Sequence, residues 1–375
     1  MCGIAGFTRL HGARRRGVAA RINESLSHRG PDQQGIYEGS VATLCAVRLA
    51  IIDLAGGDQP ITTEDGDTTI AFNGEIYNHL EIRGELEGLG HRFRSKCDTE
   101  TVLRAFLQWD TACFAKMRGM FAAALWVDSR RRLVLARDRM GIKPLYYYRR
   151  GDDLYFGSEL KAILEHPEIP RVLDEEALDS YLAVNYVPGP HTLIEGIKKV
   201  RPGHFLEWRN GKSWIEPWWT LTRTPRTGTF EEAKEELSGL MRASVREHMV
   251  ADVPLGIWAS GGLDSSAILH YAAQESAAPL KTFSVSFAGR SFDESRYFRD
   301  VAQVYGTDHH EFDLNPAEDL ESAILDFAYY SDEPSADAGA LPVWYLSRMS
   351  RRHVTVALSG EGADELFGGY LTHMA

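Results

Sequence analysis

Apolar and polar residues alternate along the first two hundred positions in short runs that favour extended chain. Residues 42–52, 69–73, 121–128, 133–137 and 153–157 each concentrate aliphatic, aromatic or β-branched side chains over about a strand's length. Two segments switch to helical spacing: 98–109, with Val102, Leu103, Phe106 and Leu107 on one face, and 174–184, which opens on acidic residues suited to a helix N-terminus. The pattern predicts a strand-rich α/β region. It lapses between 210 and 228, where Pro217, Pro225 and Gly228 punctuate the chain, and this stretch reads as an interdomain connector. Thr229 with Glu232 three residues on is a capping-box signature that starts a helical stretch to about residue 250. Beyond it, apolar runs at 253–258, 282–287 and 354–358 are separated by helical stretches near 265–275, 294–305, 316–329 and 340–352. Such alternation predicts a parallel, doubly wound sheet. The chain thus divides into a first domain over 2–209, a linker over 210–228 and a second domain over 229–375.

A chain of 375 residues is long enough for two domains that each bury a core. Its composition, 44% hydrophobic and 25% charged, excludes collagenous and disordered classes. A formal charge of −12 argues against nucleic acid or an anionic membrane surface as partner and favours a small-molecule substrate. The longest uninterrupted apolar run, 120–127, is far short of the roughly 20 residues a membrane span needs. The first ten residues lack a basic leader followed by a long apolar core, so a cytoplasmic location is the expectation. Cys2, Cys45, Cys97 and Cys113 show neither disulfide-scaffold density nor metal-ligand spacing; three read as structural and Cys2 does not.

Removal of Met1 would give Cys2 both a thiol and a free α-amine, so that nucleophile and base share one residue. With ordinary pKa values of roughly 8.5 for a thiol and 7.7–8.0 for an α-amine, the amine accepts the thiol proton near neutral pH without a separate histidine. Position alone favours an ordinary strand cysteine. Two further clusters change that reading: His28-Arg29-Gly30-Pro31-Asp32 and Asn73-Gly74-Glu75-Ile76-Tyr77-Asn78, polar and turn-forming at the ends of apolar runs, where a rigid scaffold can present side chains. Each alone reads as a turn. Together with Cys2-Gly3-Ile4-Ala5-Gly6 they resemble the class II glutamine amidotransferase domain, an N-terminal-nucleophile hydrolase, in the form found in asparagine synthetases. Ala136-Arg137-Asp138-Arg139-Met140-Gly141-Ile142-Lys143-Pro144-Leu145-Tyr146 and Ser158-Glu159-Leu160-Lys161-Ala162 extend the likeness. The resemblance implies an αββα sandwich in which the Cys2 thiolate attacks the side-chain amide of L-glutamine, giving a thioester and ammonia. It assigns the oxyanion hole to Asn73 and the backbone N–H of Gly74. Arg48 would hold the glutamine α-carboxylate, Glu75 and Asp98 its α-ammonium group, and Leu49, Ile51 and Ile52 the rest of the glutamine site.

Ser260-Gly261-Gly262-Leu263-Asp264-Ser265-Ser266 follows the apolar run at 253–258 and opens a helical one. Two glycines let backbone N–H groups surround an anion, the helix N-terminus adds favourable partial charge, and the serines add donors. No lysine follows, so this is not a Walker A loop. The Ser-Gly-Gly-x-Asp-Ser pattern is similar to the pyrophosphate loop of ATP pyrophosphatases, which activate substrates by adenylation. A second glycine-rich stretch, Ser359-Gly360-Glu361-Gly362-Ala363-Asp364, follows the run at 354–358. In a doubly wound sheet the two should lie together at the carboxyl ends of the strands. The asparagine synthetase resemblance, which covers the whole chain, implies a Rossmann-like, adenine nucleotide alpha hydrolase-like second domain. It implies ATP held by Ala259, Ser260, Gly261, Gly262, Asp264, Ser265, Ser266, Ser284, Val285, Ser359 and Gly360. It also implies Mg²⁺ between Asp264, Asp364 and the pyrophosphate, with Glu361 acting at the activated substrate.

The implied reaction joins both halves: L-aspartate is adenylated with release of pyrophosphate, and glutamine-derived ammonia displaces AMP to give L-asparagine. The resemblance allows a homodimer. It also implies further chain, because family members continue through a helical region that completes the aspartate pocket, whereas this sequence stops at Ala375, soon after the second loop. Trp258-Ala259, before the first loop, departs from the family's usual aliphatic residues. Two alternatives stay open at this point. One is a relative that amidates or cyclises another carboxylate, as β-lactam-synthetase-like enzymes do; the other is a non-catalytic protein that senses glutamine or nucleotide.

Overall fold

Gly3–Thr8, Ala42–Arg48 and Gly119–Val127 are apolar at nearly every position, so each must bury both of its faces. The structure, a computed structural model, describes residues 1–8, 13–225, 227–291, 293–314, 320–370 and 373. The chain forms two compact units, Met1–Arg223 with Ser331–Ala336, and Thr224–Tyr330 with Asp337–Ala375. Among the described residues no helix is long and apolar enough to cross a membrane.

The first unit contains two six-stranded antiparallel sheets. One runs, edge to edge, Ile197–Lys199, Tyr146–Arg150, Asp153–Gly157, Gly3–Thr8, Ala42–Arg48 and Gln33–Glu38. The other runs Lys212–Pro217, His204–Arg209, Arg132–Arg137, Gly119–Val127, Thr68–Ile76 and Ile61–Thr62. Because side chains alternate across a strand, neighbours in one strand serve different cores. Ile4, Leu44, Ala71, Ala124, Trp126 and Leu135 meet in one cluster between the sheets. Ala5, Phe7, Cys45 and Val47 instead pack with Val18, Ile22 and Leu160 from the helices Ala13–Ser25 and Leu160–Leu164. Phe72, Phe121 and Leu125 pack with Ile82, Leu86, Val102 and Phe106 from His79–Gly88 and Asp98–Trp109. The layers are therefore helix, sheet, sheet, helix.

Two sequence readings change here. Lys212–Pro217, expected to be connector, pairs residue for residue with His204–Arg209 as an edge strand. Its Trp214 and Ile215 stay partly exposed and Pro217 closes it, as an edge strand tolerates. Asn73-Gly74, expected at a turn, lies inside Thr68–Ile76, opposite Ala122 and Phe121. Glycine is required there because a Cβ would sit 2.3 Å from the Met120 carbonyl oxygen.

The second unit opens with the helix Phe230–His248, capped as its sequence predicts: Glu232 N donates to Thr229 Oγ1 (3.3 Å) and Thr229 N to Glu232 Oε2 (2.8 Å). Its four strands are all parallel, in the spatial order Asp308–Asp313, Lys281–Ser286, Leu255–Trp258 and Val356–Leu358. The first of these escaped the sequence reading because its run Asp-His-His-Glu-Phe-Asp has little apolar content and forms a sheet edge. The helices Leu263–Glu275, Ser295–Tyr305, Leu320–Ser331 and Ala340–Ser350 intervene; residues 316–319 of the expected third helical stretch lie outside the described residues. The strand order reverses between Leu255–Trp258 and Val356–Leu358, and a doubly wound sheet binds ligands at such a switch point.

The core of the first unit turns on Phe121, whose ring stacks on Phe72 (6.2 Å), Phe114 (6.1 Å) and Trp218 (5.9 Å). Phe121→Ala is expected to lower stability by about 3–5 kcal/mol, read as a shifted midpoint in a urea titration followed by tryptophan fluorescence.

Candidate active site

Cys2 stands immediately before the internal strand Gly3–Thr8, which is tied on one side by Ile4 N donating to Ser158 Oγ (3.0 Å) and Ser158 N donating to Ile4 O (2.8 Å). Arg29 Nε donates to the Cys2 carbonyl oxygen (3.0 Å), and the Cys2 thiol donates to Leu49 O at 3.7 Å. Burial pushes that thiol up from its ordinary value, more than the Leu49 bond pulls it down. Cys2 lines an open pocket together with Met1, Arg48, Leu49, Ile51, Ile52, Asn73, Gly74, Glu75 and Asp98. Each residue that the sequence assigned to glutamine binding or hydrolysis lies on this one wall.

The chemistry of the wall is specific. Asn73 is 1% exposed, yet among the described residues neither its Nδ2 nor its Oδ1 has a hydrogen-bond partner. A buried amide left open in this way costs free energy unless something else fills the site. Arg48 is buried at the end of Ala42–Arg48; its Nη2 donates to Ile52 O (3.1 Å) and Asp53 O (2.7 Å), and its Nη1 lies 3.4 Å from Asp58 Oδ1. The guanidinium therefore shapes its own loop as well as facing the pocket.

Asp98 is the first residue of the helix Asp98–Trp109, after its N-cap Cys97. Its carboxylate turns inward to accept from Ile76 N (2.9 Å). Burial raises its pKa to about 6 against the backbone donors that lower it. Burial first and Asp98 second raise Glu75 to about 8. Two carboxyl groups close enough to oppose each other's ionisation suit a cationic ligand, which relieves both.

Lys143 was missed. It is 6% exposed, lines the same pocket, and donates from Nζ to Met1 Sδ (3.3 Å); burial, with Arg29 next, lowers its pKa. In the sequence it looks like any surface lysine. What brings it inside is the turn before it, where Asp138 accepts from the backbone N–H groups of Phe121, Met140, Ile142 and Lys143 at 2.9–3.1 Å.

The nucleotide residues expected from sequence lie in the second unit, in or just after neighbouring parallel strands. Ser260 N and Ser260 Oγ both meet Ser265 Oγ (3.2 and 2.9 Å), and Gly262 N donates to Ser260 Oγ (3.2 Å). Gly261 has a φ of +81°, and a Cβ there would lie 2.5 Å from Phe298 N. Ala259 N donates to Phe283 O (2.9 Å), and the buried Ser284 hydroxyl donates to Ala259 O. Val285 is half-buried beside it. The second loop touches the first: a Cβ on Gly360 would lie 2.8 Å from Ser265 N and 2.9 Å from Asp264 Cβ. Ser359 and Glu361 flank that contact, Glu361 N donating to Ser359 Oγ (3.4 Å), and Asp364 follows in Ala363–Phe367. Ser266 N donates to Gly262 O (3.1 Å), starting the helix.

Comparison with known proteins agrees with this division. Residues 1–219 match the glutamine amidotransferase domain family and residues 236–375 the asparagine synthase family. A putative glutamine-hydrolysing asparagine synthetase 2 of Methanocaldococcus jannaschii is 33% identical over 398 residues, covering 100% of this chain and 76% of that one. The chain belongs to the glutamine-hydrolysing asparagine synthetase family. Asparagine synthetases 1 and 3 of Bacillus subtilis are 37% and 35% identical over 99% of this chain, which spans 59% and 63% of their lengths. Among solved structures, one named glutamine phosphoribosylpyrophosphate amidotransferase from B. subtilis complexed with ADP and GMP aligns with a TM-score of 0.44 at 14% identity, over 83% of this chain and 81% of that one.

For this asparagine synthetase family member the carboxyl pair sets a pH dependence of stability. Burial, with the facing Asp98 carboxyl next, holds Glu75 protonated well above the ordinary carboxyl range, so its contribution is fully present below the ordinary value and is lost as pH rises through the raised one. Glu75→Gln does not titrate. Its thermal midpoint should exceed that of the parent chain at about pH 9, with the difference shrinking toward about pH 5; a difference independent of pH would contradict the assignment.

Proposed function

We propose that this chain hydrolyses L-glutamine at Cys2 and directs the ammonia to an adenylated L-aspartate, as a glutamine-dependent asparagine synthetase. The observation that carries the glutaminase reading is the unpartnered Asn73 amide on the same wall as the Cys2 thiol. With Met1 removed, the α-amine of Cys2 takes the thiol proton, and the thiolate attacks the glutamine carboxamide carbon. Asn73 Nδ2 and the Gly74 N–H receive the negative charge that develops on the amide oxygen. Collapse of the tetrahedral intermediate expels ammonia and leaves a thioester, which water hydrolyses to glutamate. Glu75 and Asp98 hold the α-ammonium group and Arg48 the α-carboxylate, so that a zwitterionic amino acid fits where a simple amide does not.

ATP is the second substrate in this reading, lying in the crevice where the strand order reverses, with its pyrophosphate on residues 260–266 and 359–360. Asp264 and Asp364 would hold Mg²⁺. A hard cation held by two carboxylates takes phosphate oxygens and water to complete its shell. When bound, that ion neutralises charge on the pyrophosphate leaving group. Glu361 stands at the adjoining loop to orient the activated carboxylate or the incoming ammonia. All four cysteines are free, which suits a reducing compartment such as the cytoplasm.

Two measurements test the halves separately. Glutamate release from glutamine should vanish in Cys2→Ala and fall about 10²–10³-fold in Asn73→Ala; activity surviving Cys2→Ala would remove the nucleophile assignment. Pyrophosphate release from ATP should require L-aspartate, and release that is independent of aspartate would transfer the reading to a different carboxylate.

A further inference from the structure

Segment Ser331–Ala336 belongs to the first unit, although the helices on either side of it, Leu320–Ser331 and Ala340–Ser350, lie almost wholly in the second. Its Asp332 adopts a φ of +64°, a conformation that residues other than glycine rarely take. Its carboxylate accepts from the backbone N–H groups of Leu160 and Lys161, and it pairs with Lys161 Nζ at 3.3 Å. Lys161 Nζ lies 2.5 Å from Glu159 Oε2, and Glu159 Oε1 lies 2.7 Å from Arg29 Nη1 and 3.0 Å from His28 Nε2. Arg29 Nε then donates to the carbonyl oxygen of Cys2. The result is a row of alternating charges, negative, positive, negative, positive, ending on the backbone of the thiol residue.

The row is enclosed. Side-chain exposures are 7% for Asp332, 17% for Lys161, 3% for Glu159 and 9% for Arg29. Burial pushes the Glu159 carboxyl up, but the His28, Arg29 and Lys161 donors outweigh it and hold it at about 2. Buried charges persist only when each is compensated by its neighbours, so removing Asp332 leaves Lys161 held by Glu159 alone among the row's members and shifts the balance of charge along it. Glu333 adds a second anchor for the same segment, accepting from Tyr146 Oη (3.1 Å) and pairing with Lys199 Nζ (3.0 Å).

We propose that Asp332 is a positioning residue for glutamine hydrolysis, holding Lys161, Glu159 and Arg29 in the register that aims the Cys2 thiol at its substrate. This rests on the reading of Cys2 as the nucleophile. It means that the glutaminase centre is fully assembled only while residues 331–336 are seated on the first unit, a stretch whose two ends lead directly into the nucleotide-binding unit. No member of the row lines the glutamine pocket, so its loss acts on the rate of attack and leaves substrate affinity alone.

The test uses the full chain carrying Asp332→Asn, Asp332→Glu or Lys161→Met. Asp332→Asn should lower kcat for glutamate release about tenfold to a hundredfold while KM for glutamine stays within about twofold. Asp332→Glu, which keeps the charge, should recover part of the rate. The rate of Cys2 alkylation by iodoacetamide, followed by mass spectrometry, should change in the same order. Glutamate release within about twofold of the parent chain, or a rise in KM matching the fall in kcat, would overturn the proposal. Lys161→Met carries the same comparison should Asp332→Asn fail to fold. If the parent chain releases no glutamate, it is the glutaminase reading that fails, and alkylation rates unchanged by these substitutions would then overturn the positioning role as well.

Discussion

The first unit depends on two sheets whose internal strands are buried on both faces. Once Gly3–Thr8 and Thr68–Ile76 are each fixed between a shared core and an outer helical layer, their ends have no freedom left, and Cys2 at one end and Asn73 near the other are set by packing. The proposed nucleophile and its proposed hydrogen-bond donor, which must agree within fractions of an ångström, are better carried on such strands than on loops. The polar wall is therefore affordable only because the apolar layers behind it are complete: Phe72 and Phe121 sit directly beside Asn73 and across from Gly74 in the ladder.

Much of this was legible in the sequence where the signal is local. The Thr229 and Glu232 cap lies within four residues, and both of its hydrogen bonds are present. Asp174 likewise caps Glu175–Val184 by accepting from Ala177 N. The parallel strands of the second unit announce themselves as apolar runs, except for the edge strand Asp308–Asp313, whose half-exposed setting leaves no such run. Edge strand Lys212–Pro217 was hidden for the same reason, with Pro217 adding a false stop.

The site divides along the same line. Cys2, Asn73, Gly74, Arg48 and Asp98, assigned through the family resemblance, line one pocket, although the segment around Asn73 resembled a turn and proved to be strand. Lys143 was not found, because nothing in its own segment distinguishes an inward lysine from an outward one; the turn tied by Asp138 decides it. Asp332 was further out of reach, its partners lying 171 and 172 positions away. Charge pairs at that separation leave no periodicity for a single sequence to display.

The contact between the two glycine-rich loops carries a consequence of another kind. Gly360 rests on Asp264 and Ser265, while Gly261 is pressed against the start of Ser295–Tyr305, so the first loop is held between two neighbours before any ligand arrives. In the proposed reading, a pyrophosphate entering there has little chain to order, so its binding would cost little conformational entropy.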